Sequence, residues 1–146
     1  MQLSKNLTLS EACVTNSTSD NTPSAQAIAN LKQVAEKVFQ KCRDHFNKPL
    51  RVNSGYRSHI VNKNCGGAFN SQHLTGQALD LDFGNKVDNK DLFDYIRHNL
   101  MFDQVIYEAG DDVGPNWVHV SYNGAFNRRE VLRMTKVNGK SVYKKL

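Results

Sequence analysis

The sequence predicts an α+β fold, a small antiparallel sheet packed against helices within a single domain. Three observations carry this prediction. Ile28, Leu31, Ala35, Val38, Cys42 and Phe46 recur at three- and four-residue steps, as on one face of a helix. Gln77 to Phe83 alternates Ala78, Asp80 and Asp82 with Leu79, Leu81 and Phe83, as on the two faces of a strand. Two runs rich in β-branched and aromatic residues, Asp103 to Glu108 and Trp117 to Tyr122, flank a loop with Gly110, Gly114 and Pro115, which reads as an antiparallel hairpin. A length of 146 residues suits one domain, and strands mixed with segregated helices indicate the α+β class.

The elements follow in order. Residues 1–22 are rich in Ser, Thr and Asn and are expected to form an extended N-terminal arm and loop. Thr22 is the expected cap of the first helix, with Pro23 at its first position. That helix carries the stripe from Ile28 to Phe46 and stops before Pro49. A short strand from Leu50 to Asn53 enters the turn Ser54-Gly55-Tyr56-Arg57, and a short helix from Ser58 to Asn64 is closed by Gly66-Gly67. After the strand at Gln77 to Phe83, Leu92, Phe93, Ile96 and Leu100 mark a second amphipathic helix, capped by Asp88 or Asn89. Beyond the hairpin, Asn138-Gly139 between Val137 and Val142 is a two-residue turn signal.

A net charge of +5 steers a chain toward acidic partners, among them cell wall, nucleic acid and anionic lipid. The basic residues are scattered, however, and the one cluster, Lys136, Lys140, Lys144 and Lys145, reads as a solvated tail, so no nucleic-acid partner is expected. No apolar run approaches the ~20 residues of a membrane span. Met1 to Leu9 lacks the apolar stretch of a secretory signal, which makes synthesis in the cytoplasm the expectation. A monomer is expected. Cys13, Cys42 and Cys65 are odd in number and form no C-x-x-C pair, so they are expected to be reduced thiols, neither ligands nor nucleophiles.

A catalytic zinc takes three ligands from His, Asp, Glu and Cys and leaves a fourth position for water. His45 ends the first helix, where the helix dipole accounts for it, and His59 and His98 are expected on helix surfaces. His73 ends the polar loop Asn70-Ser71-Gln72, Asp80 lies on the strand face opposite Leu79 and Leu81, and His119 is flanked by Val118 and Val120 that face the other way. By spacing alone, a loop histidine, a strand-end cap and a satisfied strand histidine account for these residues better than a metal set does.

Three blocks alter that balance. Ser54-Gly55-Tyr56-Arg57-Ser58, then Ser71-Gln72-His73-Leu74-Thr75-Gly76-Gln77-Ala78-Leu79-Asp80, then Trp117-Val118-His119-Val120-Ser121-Tyr122 resemble, in order and separation, the D-alanyl-D-alanine carboxypeptidase-like zinc peptidases. The resemblance spans the chain from the first helix to Tyr122 and implies a domain of the zinc D-Ala-D-Ala carboxypeptidase/hedgehog type over residues 23–146. It implies that His73, Asp80 and His119 bind Zn2+, and that Arg57 lies beside the metal and contacts a substrate carbonyl or carboxylate. The substrates it implies are peptidoglycan stem peptides, cut at D-Ala-D-Ala or, in phage lysis enzymes, at L-alanyl-D-glutamate. Size, the Ser/Thr-rich opening and the lack of a signal are similar to those of small phage-encoded members.

The general base is not given by motif. Many relatives carry an acid three residues before the last zinc histidine, where this chain has Asn116. Hairpin geometry selects Glu108: paired with Trp117, it shares a face with His119. Asp111 and Asp112 are the alternatives in the loop. Asp82 is a candidate to orient a ligand histidine, and Ser71 and Gln72 either bind substrate or close their loop. Two functions stay open: a peptidoglycan metallopeptidase, or a catalytically silent relative that keeps its zinc as a wall-binding or structural phage module.

Overall fold

Leu3, Leu7 and Ala12 draw the start of the chain into the main core. The computed structural model describes residues 1–146. β1 (Gln2–Ser4) pairs antiparallel with β2 (Leu7–Thr8), and Thr8 and Glu11 close a capping box on a single turn, α1 (Leu9–Ala12). The expected extended arm is therefore folded over this stretch. Its three apolar anchors are too sparse among polar residues to give a periodic signal, yet each is buried.

α2 (Ala25–Val34) is capped by Ser24, whose hydroxyl accepts from the Ala27 N–H, and not by Thr22. Thr22 is taken by Asp20, to which its N–H and hydroxyl both donate, at 3.0 and 2.6 Å. A π-helical turn (Ala35–Phe39) joins α2 to α3 (Gln40–Phe46), which ends in left-handed Asn47 before Pro49. Leu31, Ala35, Val38 and Cys42 of the predicted stripe are fully buried. The π turn admits one residue more per turn, and Val34 and Phe39 join the same buried face.

β3 (Arg51–Ser54), α4 (His59–Asn64), a 3-10 turn (Gln72–Thr75), β4 (Ala78–Asp82) and α5 (Lys86–Asn99) come next, followed by β5 (Gln104–Glu108), β6 (Trp117–Ser121), β7 (Glu130–Val137) and β8 (Lys140–Lys145). One six-stranded sheet has the order β3-β4-β6-β5-β7-β8. The α+β class is as predicted. The sheet is mixed, because β7 runs parallel to β5 while every other neighbour is antiparallel. That pairing needs a crossover after β6. Arg128 fastens it to Asp103, and Arg129 fastens it to the Leu100 and Arg97 carbonyls.

The cap of α5 is Asn85, which accepts from the Asp88 N–H at 2.8 Å, and not Asp88 or Asn89. Asn89 instead points inward. Its amide donates to Asp82 Oδ1 (2.9 Å) and the Asn116 carbonyl (3.1 Å), and its oxygen accepts from the Phe83 N–H (2.8 Å).

Alternation divides the sheet by chemistry. Leu79, Leu81, Val105, Val118 and Val120 face the helices and pack in one core with Leu31, Val38, Leu92, Phe93 and Ile96. The opposite face carries a row, set by register, of Asp80, His119, Ile106 and Leu132, and beside it a row of Trp117, Glu108, Met134 and Tyr143.

Candidate metal centre

Asp80 and His119 are direct partners at the middle of β4 and β6, so their side chains leave the sheet side by side. His119 Nδ1 lies 3.0 Å from Asp80 Oδ1. His73 enters from the 3-10 turn, with Nε2 3.4 Å from the same carboxylate oxygen. One donor atom from each of the three residues lies within 4.8 Å of the others. All three residues are buried, an arrangement that could hold a metal ion.

His73 is oriented by the backbone. Its Nδ1 is 2.6 Å from the Gly55 carbonyl oxygen, which can only accept, so Nδ1 carries a proton and Nε2 is the nitrogen turned to the centre. Gly55 in turn is pressed against the chain's beginning: the Tyr56 N–H donates to the Ala12 carbonyl at 2.8 Å, and a Cβ at Gly55 would collide with that carbonyl oxygen. Burial disfavours the Asp80 carboxylate. The charge of His73 and hydrogen bonds from both histidines outweigh it and hold the carboxyl well below the usual carboxylate range.

Arg57 lies beside the donors. Its Nη2 is 3.4 Å from Asp80 Oδ2, while Nε donates to Ser54 Oγ (2.9 Å) and Nη1 to Asn62 Oδ1 (3.2 Å). Asn62 is buried on α4 and also holds the Ala68 carbonyl. Sequence reasoning missed it, since a polar residue in a short polar helix carries no signal until the arginine is placed.

Glu108 pairs with Trp117 as the hairpin register requires, and its side chain lines the same cleft of about 600 Å³ as His73, Asp80 and His119. It has no ion-pair partner and is only 6% exposed. Burial pushes its carboxyl up to about 7; the charge of His119 offsets part of the rise and that of Asp80 adds to it.

The loop acids lie elsewhere: Asp111 pairs with Lys86 and Asp112 with Arg133, both at 2.9 Å. Asn116 is exposed, and its N–H donates to the Glu108 carbonyl. Asp82 touches neither histidine. It accepts from Arg51, Asn53, Asn89 and the Gly84 N–H, which makes it a tie between strand end and helix. Ser71 Oγ accepts from the His73 N–H, and Gln72 donates to Asp103 at 2.9 Å; both residues close their turn and also border the cleft. His45 stacks on Tyr95, His98 meets the Asp94 carbonyl and His59 is exposed, all outside the centre. The basic tail forms β7 and β8, and Lys136 faces the cleft.

Residues 3–121 match the family model described as Peptidase M15. A stretch covering 27% of the chain is 50% identical, over 40 residues, to the zinc D-Ala-D-Ala carboxypeptidase of Streptomyces albus G, and it spans 16% of that relative's length. The match to the family model contains His73, Asp80, Arg57, Glu108 and His119 and takes in most of the chain, which therefore belongs to the peptidase M15 family.

Proposed function

We propose that the chain is a zinc peptidase that hydrolyses peptide bonds of bacterial peptidoglycan stem peptides, as a D-Ala-D-Ala carboxypeptidase or an L-Ala-D-Glu endopeptidase. The observation that carries this reading is the meeting, in one cleft, of a three-donor set and an unpaired buried glutamate. The donors suit zinc. Ligand atoms about 2 Å from a common tetrahedral zinc lie about 3.3 Å apart, and the Asp80 carboxylate oxygen stands 3.0 and 3.4 Å from the two histidine nitrogens. His73, Asp80 and His119 would hold the ion, and zinc, when bound, polarises a carbonyl and acidifies a water.

The chain's own residues do the rest. Glu108 takes the proton from the attacking water and returns it to the leaving amine, and burial, which raises its carboxyl above the usual range, suits it to both tasks. Arg57, held by Ser54, Asn62 and Asp80, stabilises the developing oxyanion or pairs with a terminal carboxylate. Ser71 and Gln72 border the cleft and offer polar contacts to the bound peptide. In this reading the chain acts at the cell wall, as a phage lysis enzyme does.

The test is turnover of purified peptidoglycan by zinc-loaded protein. Release of peptide fragments, abolished by a chelator and restored by zinc, is the expected result. Zinc-loaded protein that binds the wall without cutting it would favour the silent module, the reading for which Asn116 speaks.

A further inference from the structure

Three cations border the cleft, and two are already engaged. Arg57 lies against Asp80, and the Arg128 guanidinium closes on both oxygens of Asp103 at 2.8–3.2 Å. Lys136 has no carboxylate partner; its ammonium donates only to Ser141 Oγ, at 2.9 Å. On β7 it alternates onto the face of Leu132 and Met134, which stand in register with Ile106 and Glu108, so its charge overlooks the reaction face. Tyr143, opposite Met134 on β8, brings a phenol to the same wall. This hairpin lies beyond the residues that match the family model.

Register also sets the distance. Leu132 stands in the row of His119, and Lys136 lies about 13 Å further along β7 at the usual rise per residue. Met134 stands in the row of Glu108, so Lys136 lies only about 7 Å past that row and its charge still reaches the Glu108 carboxyl. Yet it stands on the side away from His119, where it meets a part of the substrate beyond the reacting bond. Of the two acids that line the cleft, Asp80 is paired and Glu108 is not, and the unpaired lysine beyond Glu108 supplies the positive charge that an anionic substrate group needs there.

We propose that the β7–β8 hairpin forms a substrate wall on which Lys136, with Tyr143 beside it, recognises a carboxylate of the peptide away from the bond being cut. The proposal rests on the peptidase reading in its D-Ala-D-Ala carboxypeptidase form, where the D-glutamate lies away from the scissile bond, and makes Lys136 a specificity residue, not a catalytic one. The probes are a stem pentapeptide with its D-glutamate carboxylate free and the same peptide with that group as a carboxamide.

Binding is measured by calorimetry and cleavage by kinetics, on zinc-loaded wild type, Lys136→Met, Lys136→Glu and, as a control of equal charge change on the opposite face of the hairpin, Lys144→Met. Wild type is expected to prefer the carboxylate form by roughly tenfold, the scale of a charge-assisted hydrogen bond weakened by solvent. Lys136→Met loses that preference, Lys136→Glu reverses it, and Lys144→Met keeps it, each read as the ratio of Kd and of kcat/KM between the two peptides, which a general effect on Glu108 does not move. The proposal is overturned if Lys136→Met retains the wild-type preference, if it weakens both peptides equally, or if wild type binds neither. Lys136-dependent binding without cleavage would sink the peptidase reading alone, and cleavage without preference would sink this inference alone.

Discussion

At the scale of single residues, Glu108 bears the heaviest demand. In the proposed reaction it is the base, and burial puts its carboxyl at about 7. A base works deprotonated, so kcat/KM is expected to fall as the pH drops through the Glu108 value, and zinc nearby draws that value below its metal-free level. Glu108→Gln is expected to keep fold and zinc while lowering peptide hydrolysis by ~10²-fold or more. Near wild-type turnover in that variant, with Asp111→Asn inactive, would transfer the role to the loop. For the donors, His73→Ala and His119→Ala are each expected to lose the single zinc, as metal analysis of folded protein would show. Replacement of Cys13, Cys42 and Cys65 together is expected to leave zinc near one per chain; Cys65 is exposed at the cleft rim and Cys42 is buried in the core.

At the scale of elements, periodic segments were legible and local hydrogen bonding was not. The β4 alternation and the β5–β6 register were readable because side-chain direction on a strand follows from parity alone, and parity put Asp80, Glu108 and His119 on one face. Helix starts were misplaced by polar competition. Thr22 was claimed by Asp20, and Asn89 was drawn inward by three backbone groups that no periodicity announces. Asn89→Ala is expected to destabilise the chain by about 2 kcal/mol, since it strands the half-buried Phe83 N–H and the Asp82 oxygen and carbonyls that the Asn89 amide satisfies; denaturant unfolding measures this. Asp103 ties the Gln72 turn to the β6–β7 crossover. Burial works against its carboxylate, but bonds from Arg128 and Gln72 prevail and its carboxyl is lowered. A lowered folded value means stability present above the ordinary aspartate pKa of about 3.9 and lost as pH falls through the folded value. The stability gap between wild type and Asp103→Asn is therefore expected to be full at neutral pH and to close in acid.

At the scale of the whole molecule, the sheet keeps two separate accounts: apolar residues toward the helices, donors and cleft residues on the other side. What composition hid was the reach of the termini. The polar start buries Leu3, Leu7 and Ala12, and the basic end builds a cleft wall, because both contribute through pairing with distant segments rather than through any local pattern. The contact between Gly55 and Ala12 has a genetic corollary. The acceptor that selects the His73 tautomer is a main-chain carbonyl, which no exchange of side chains can delete. A change in that orientation comes through the path of the backbone, and the path is tight at Gly55, where one added methyl meets the first helical turn. The orientation of a candidate metal donor thus depends on a glycine outside the donor set and on an N-terminal segment that bears no chemistry of its own.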